Sequence, residues 1–239
     1  VDKEGEYWRA YLFIEDATCF EQVENDEDFY QSALAFGNFQ RLLADYPADT
    51  LHETIPNFHN TVKRFADFKK AVEEDACGRA ADVQKEIQFV LEREQLAHTL
   101  VDLLDAGKLP LRVTHNDTKL NNIMIDNVTH KGICVIDLDT VMPGLSLNDF
   151  GDSIRFGAST GAEDEKDLSK ISCDMELYDI YAKGFVEGCG GALTDMEIEC
   201  LPIGAKVMTY ECGMRFLTDY LSGDTYFKVD YPTHNLDRT

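Results

Sequence analysis

The sequence predicts an α+β protein, mainly helical, with a small cluster of β-hairpins on one face. Three features point there. Apolar residues recur at helical spacing from about residue 28 to 106 and again beyond 175. Short β-prone runs parted by polar loops lie between those two stretches. No internal repeat and no low-complexity linker divides the chain.

The elements follow in order. Tyr7 to Glu15, YWRAYLFIE, reads as a strand from its aromatic and aliphatic content. A helix is expected over about Asp28 to Tyr46, where Phe29, Phe36, Phe39, Leu43 and Tyr46 share one face. A second is expected over about Val62 to Glu74. A third, long helix is expected over about Asp82 to Ala106, with Gly107 as its stop signal. Leu111 to Thr114, Ile123 to Ile125 and Gly132 to Leu138 form the β cluster. Helices resume near Met175. Thr194 and Glu197 have the spacing of a capping box, and the last helical pattern ends near Gly223, with Pro202 as a kink or first-turn residue.

Composition narrows the functional classes. The 239 residues carry 45 acidic and 22 basic side chains, a net charge of −23. Such a field repels nucleic acid and anionic membranes. A nucleotide site in this chain must supply its own local cations. No apolar run has the length of a membrane span. The seven cysteines include no Cys-x-x-Cys pair, which argues against a disulfide scaffold or structural zinc and makes a reducing cytoplasm the expected setting.

One segment concentrates the chemistry. Thr114 to Asp139 reads THNDTKLNNIMIDNVTHKGICVIDLD. His115-x-Asp117 followed by Asn122 is the H-x-D-x-x-x-x-N pattern of kinase catalytic loops, with Lys119 two residues after the Asp. Asp137 comes twenty residues after Asp117, at the end of an apolar run. A hydroxyl accepting a phosphoryl group needs a carboxylate to orient it and take its proton, which suits Asp117. Magnesium takes hard oxygen donors, which Asn122 and Asp137 offer. Lys119 is placed to neutralise the transferring group. His115 reads as a brace for the loop. Asp139 is either a second metal-side carboxylate or a turn residue. Asp149-Phe150-Gly151 spells the metal motif of protein kinases, but no β-run leads into it, so Asp149 and Asp152 read as structural acids capping a helix or pairing with Arg155.

On HNDTKLNN, VIDLDTVMPGLSLNDFGDSIRFG, YECGMRFLTDYL and HNLDR, the chain resembles the aminoglycoside phosphotransferase and choline kinase superfamily, and within it the N-acetylhexosamine 1-kinases. The resemblance implies ATP and Mg²⁺ as cofactors. It makes Asp117 the base for the anomeric hydroxyl of an N-acetylhexosamine and places Phe156, Arg215 and Tyr226 in the sugar pocket. It also implies a protein-kinase-like fold in which residues 1–16 are a remnant of the hinge strand between lobes. Phe13, Ile14 and Glu15 would meet ATP there, and residues 17–239 would be the mainly helical catalytic and substrate-binding lobe. The small β-rich lobe that such kinases carry upstream is expected to be largely absent. The 239 residues alone are then expected to fold but not to turn over, and to self-associate through the face that lobe would cover.

Other acceptors stay open at this point: choline, an aminoglycoside or another sugar. A sulfatase would need a nucleophile in a C/S-x-P-x-R context, which no cysteine here has. A non-catalytic sugar-binding pseudokinase is disfavoured by the intact Asp117, Asn122 and Asp137.

Overall fold

The first helix starts where the sequence supplies a cap. Asn25 accepts a hydrogen bond from the Asp28 amide at 2.9 Å, and Asp26, Glu27 and Asp28 set negative charge against the positive end of the helix dipole. In the computed structural model, which describes residues 1–239, this is α1 (Asp26–Leu42). Its principal partner is α6 (Met175–Cys189), capped by Asp174. The two helices meet backbone to backbone. A Cβ at Gly37 would run into the carbonyl oxygen of Phe185, so only glycine permits this approach.

Asn60 caps α2 (Thr61–Glu74) through the Lys63 amide at 3.0 Å. The long helix expected over 82–106 is two helices, α3 (Gln84–Leu91) and α4 (Glu94–Asp105). The cause sits at Arg93. In a continuous helix its amide would donate to the Phe89 carbonyl. Instead the amide turns to Val90, and the Arg93 guanidinium takes the Phe89 carbonyl at 2.9 Å while lying 3.6 Å over the Phe89 ring. The apolar face continues across the break through Ile87, Val90, Ala97 and Leu100, which is why periodicity alone does not reveal it.

Two small antiparallel sheets follow. β1 (Ala17–Thr18), β3 (Ile123–Asp126) and β4 (Gly132–Val135) form one, in the order β1-β3-β4. β2 (Arg112–Thr114) pairs with β5 (Met142–Gly144) in the other. The strand expected over Tyr7 to Glu15 does not form. Those residues pair with no strand, with Tyr7 88% and Leu12 94% exposed. β-prone side chains make a strand only when a neighbouring backbone accepts the ladder, and none lies beside them.

A helix absent from the sequence expectation, α5 (Ser146–Gly157), runs through the middle of the molecule and is buried along most of its length. It packs on α7 (Asp195–Ser222), where Gly151 meets the Gly204 carbonyl. The 28 residues of α7 span about 42 Å at the usual rise, long enough to serve two apolar clusters. One cluster joins α1, α5, α6, the three-stranded sheet and the first half of α7. The other joins α2, α3, α4 and the second half of α7. The capping box is present, with the Glu197 amide donating to Thr194 Oγ1 and the Thr194 amide to Glu197 Oε2. Pro202 lies inside the helix, beyond its first turn. α8 (His234–Arg238) closes the chain against α7. No helix is long and apolar enough to cross a membrane.

Glu197 does more than cap. Arg112 grips it with two bonds of 2.6 and 2.7 Å, and Ser146 Oγ donates to it at 2.7 Å, so β2, α5 and α7 meet at one carboxylate. Burial alone would raise its pKa, but Arg112 and the amide and hydroxyl donors bring it below the usual value. The Arg112 side chain is 12% exposed and depends on this partner. Glu197→Ala is expected to destabilise the fold by about 3–5 kcal/mol, because it strands a buried guanidinium. Urea denaturation measures this. Because the folded pKa is depressed, this stabilisation is present above the unfolded pKa and is lost as pH falls through the folded value. Between those two values the variant should lack that share of the wild type's acid sensitivity.

Candidate active site

β2 ends at Thr114, and the next five residues carry the loop motif. Asn116 reverses the chain with φ of 67°, a left-handed conformation that asparagine tolerates better than most residues. The loop rests on α5. Asp149 accepts from the amides of His115 and Asn116 at 2.9 and 2.7 Å and from Gln40 Nε2 at 2.6 Å. Full burial pushes the Asp149 carboxyl up, against those N–H donors, which favour the ionised form. One turn on, Asp152 accepts from the Thr118 amide at 3.1 Å and Ser153 Oγ donates to the Thr118 carbonyl at 2.6 Å. Residues i, i+3 and i+4 of one helix face thus hold the loop backbone.

His115 braces the loop from inside. Its Nδ1 accepts from the Asp117 amide at 3.3 Å, its Nε2 donates to the Ile136 carbonyl at 2.9 Å, and the rings of Phe36 and Phe39 meet it edge-on. Asp117 emerges into the open. Lys119 Nζ lies 3.0 Å from Asp117 Oδ1, and Asn122 Nδ2 donates to its Oδ2 at 3.2 Å and to its carbonyl at 2.8 Å. Burial pulls the Lys119 ammonium down, but Asp117 outweighs that and holds it above its ordinary value.

The Ile136 amide donates to the Asn122 carbonyl at 2.9 Å, which brings the chain past Asn122 one residue before Asp137. Asp137 lies two residues beyond β4 with left-handed φ of 58°, and its exposed carboxylate has no hydrogen-bond donor from the protein. Asn122 spends its amide nitrogen on Asp117 and keeps its amide oxygen free. Two hard oxygens are therefore available. No group of three His, Cys, Asp or Glu side chains is assembled to hold a metal unaided. That donor set suits Mg²⁺, which takes one or two protein oxygens and fills its remaining positions with water and phosphate. Asp149 has both oxygens committed and none to give. Asp139 pairs instead with Arg9.

Asp117 and Lys119 open onto a cavity of about 370 Å³. Arg215 of α7 projects into it among three rings, with Cζ 5.1 Å from the ring centroid of Phe58, 5.7 Å from Tyr226 and 5.4 Å from Phe227. Asp219, one turn further along α7, accepts the amides of Thr225, Tyr226 and Phe227 at 2.9, 2.9 and 3.0 Å, and so folds the segment that presents two of those rings. On the α5 side, Arg155 binds Asp152 at 3.0 Å and Glu163 at 3.0 Å. Burial would raise Asp152, but Arg155, helped by His59 and Lys119, brings it below the usual carboxylate range. The wall carries five fixed cations (Lys119, Arg155, Arg215, Lys228, Arg238) against four acids (Asp117, Asp152, Glu163, Glu211). In a chain of net charge −23 the local balance is reversed.

A second hollow of about 380 Å³ lies between α1 and α6, where Arg41 is bonded to Asn38 and Glu187 to Tyr30. It contains none of the loop residues.

Four residues singled out from sequence, Asp117, Lys119, Arg215 and Tyr226, line one cavity, and Asn122 is bonded to Asp117. Phe156 is half-buried near the end of α5 and does not line the cavity. Phe13 and Glu15 are exposed and Ile14 half-exposed in the unpaired N-terminal segment, also outside it. Sequence reasoning missed Phe58, His59, Glu211, Phe227 and the loop-organising Asp219. Phe58, His59 and Glu211 gain their places from partners distant in the chain, Asp219 and Phe227 from the fold-back after α7, and only the polar PNFHN stretch hinted at an ordered loop around Phe58 and His59.

Residues 2–180 match the model of the phosphotransferase enzyme family, APH. Among solved structures, the fold is similar to an ethanolamine kinase of Plasmodium vivax, with a TM-score of 0.59 and 16% identity, over 94% of this chain and 62% of that one. This chain therefore spans less than two thirds of that kinase's length, and at such identity the likeness concerns the fold. With the family model matched over well more than half its length, the chain belongs to the phosphotransferase enzyme family.

Proposed function

We propose that the protein transfers the γ-phosphoryl group of ATP to the anomeric C1 hydroxyl of an N-acetylhexosamine, giving the sugar 1-phosphate. The observation that carries a neutral acceptor is the placement of Arg215. Phe58, Tyr226 and Phe227 form the kind of aromatic enclosure that would hold an ammonium group, but the protein's own guanidinium fills it. The excess of cations around the cavity works in the same direction, against choline, ethanolamine or an aminoglycoside. A sugar meets such a wall well: hydroxyl and acetamide oxygens accept from arginine forks, and pyranose faces pack on rings. The choice of N-acetylhexosamine and of C1 rests on the sequence resemblance.

In this reading Asp117 orients the acceptor hydroxyl and takes its proton as the phosphorus–oxygen bond forms. Lys119, now paired with Asp117, is within reach of the transferring group. Asn122 and Asp137 hold Mg²⁺, which neutralises phosphate charge when bound. Arg215 and Tyr226 hold the sugar; Phe156, which the resemblance also assigns to the sugar pocket, lies outside the cavity and is given no contact. Phe13, Ile14 and Glu15 meet ATP through backbone groups that no protein partner occupies. Residues 1–16 then serve as the connecting segment and 17–239 as the catalytic and substrate-binding unit.

An acceptor panel on the full-length protein tests this, with phosphorus NMR locating the new phosphate. N-acetylhexosamines should yield an anomeric phosphate. Phosphorylation of choline or ethanolamine in preference to every sugar would overturn the assignment.

Three variants refine it. Asp117→Asn should lower kcat on the order of 10²–10⁴-fold while sugar affinity stays near wild type. Steady-state kinetics and sugar titration check both halves. Asp137→Ala should remove the response of turnover to Mg²⁺ while costing only about 1–2 kcal/mol of stability, since its carboxylate bonds to nothing in the fold and the loss comes from alanine at a φ of 58°. Arg215→Ala should raise KM for sugar far more than KM for ATP. Because it empties the aromatic enclosure, it should also let tetramethylammonium compete with sugar, as inhibition kinetics would reveal.

A further inference from the structure

Two histidines flank the peptide bond that leads into Asp117, and their surroundings differ. His115 accepts at one ring nitrogen and donates at the other, as described above. His59, in the loop before α2, has no such division. Its Nδ1 lies 2.8 Å from Glu211 Oε1 and its Nε2 lies 3.1 Å from the carbonyl oxygen of Asn116. Its side chain is 7% exposed and that of Glu211 is 1% exposed. A carboxylate and a backbone carbonyl both accept and neither donates. A ring with one proton would turn a lone pair toward one of these oxygens. With Glu211 ionised, only the doubly protonated ring serves both.

We propose that His59 is a buried imidazolium that acts as a positioning residue for Asp117, kept charged by Glu211, so that the alignment of the reacting carboxylate depends on one buried proton. The Asn116–Asp117 peptide explains the reach of this contact. His59 holds its carbonyl oxygen and His115 Nδ1 holds its N–H, while Asp149 fixes the amide on the other side of Asn116. Asn116 sits at φ of 67°, so the plane of that peptide sets the direction in which Asp117 leaves the loop. If the His59 contact is removed, one of the three restraints is lost, on the cavity side. Glu211 also lies 3.9 Å from Arg215, which couples the wall proposed for the acceptor to the loop that carries the base.

The charged groups around His59 are Glu211 and Arg215 from α7, Asp152 from α5 and Arg64 from α2, with Asp117 and Lys119 across the cavity. Burial and Arg215 pull its pKa down, but Glu211 and the Asn116 carbonyl outweigh them and leave it above the ordinary histidine value. For a raised pKa the favourable state is complete below the unfolded value and is lost as pH rises through the folded one. The proposal thus predicts an alkaline limb in kcat.

The inference rests on the role given above to Asp117, but its first test does not. Nitrogen-15 NMR of the histidine side chains in the full-length protein should show both His59 ring nitrogens protonated at pH 7, with the midpoint on the alkaline side of that pH. Glu211→Gln should lower that midpoint. In kinetics, His59→Phe should cut kcat on the order of 10²-fold with KM for ATP unchanged. His59→Gln, whose amide can still donate to Asn116, should recover most of that loss and flatten the alkaline limb. A neutral His59 ring at pH 7, as when Glu211 carries the proton, overturns the proposal. So does an alkaline limb unchanged in His59→Gln, or full activity in His59→Phe. Should His59→Phe fail to fold, the NMR and the Gln variant decide. Absence of sugar phosphorylation would sink the functional reading and leave the imidazolium signal standing, whereas a neutral ring would sink this inference alone.

Discussion

The structure depends on a carboxylate that never meets solvent. Asp149 binds two consecutive loop amides and the Gln40 side chain, and through them it joins α5, the catalytic-type loop and α1. The backbone of His115 and Asn116 cannot pair with a strand, because β2 has ended and the chain is reversing. Buried amides without partners are costly, so the loop needs an acceptor from elsewhere. Asp149 is that acceptor, and Asp152 repeats the arrangement for Thr118 one turn later. A carboxylate is stronger than a neutral acceptor for this purpose, and its two oxygens can orient two adjacent peptides. Glycine at position 151 lets α5 approach α7 closely, so the platform is fixed from behind as well.

This explains why the motif Asp149-Phe150-Gly151 misleads when read as a string. Its aspartate serves the site from beneath the loop. The sequence held a signal for α5, since Leu147, Phe150 and Ile154 keep helical spacing and are all buried. That signal was masked by the polar residues between them, Asp149, Asp152 and Ser153, which would normally mark a solvent face or a turn. They are buried here because the opposite side of the helix faces a loop backbone in need of partners. The helices with one apolar stripe, α1 and α2, and the capping box of α7 were legible to within a few residues. The break at Arg93 was not, because it arises from one side chain taking one carbonyl. The segment Tyr7 to Glu15 shows the converse error. Its propensity for β-structure is plain, but propensity has no knowledge of a partner.

The site divides along the same line. Asp117, Lys119 and Asn122 are close in sequence and were recognisable as a group, since a loop places them together by itself. Arg215 and Tyr226 came from resemblance and do line the cavity with Asp117. Phe156 came from the same source and does not, since α5 turns Arg155 to the cavity and Phe156 elsewhere. His59 and Glu211 are 152 residues apart and meet at hydrogen-bond distance only after α2 has packed against α7. No local pattern carries that contact. Asp219 is equally silent in sequence, an ordinary acid within a helix until the chain folds back and offers it three amides.

Charge shows most clearly how the fold gives one cavity a character that the chain as a whole lacks. The chain as a whole is strongly acidic, which by itself would draw cationic ligands toward any opening. Around the cavity the fold reverses that bias by gathering arginines from α5, α7 and α8 onto one wall. Placing Arg215 among aromatic rings then has two effects. It gives the guanidinium a stable seat without a full ion pair, the nearest carboxylate being 3.9 Å away, and it leaves its N–H groups available to an incoming oxygen. The same seat can no longer receive an ammonium group. In the proposed reading, a single side chain in the seat would separate oxygen recognition from cation recognition, while the loop and its buried carboxylates stay as they are.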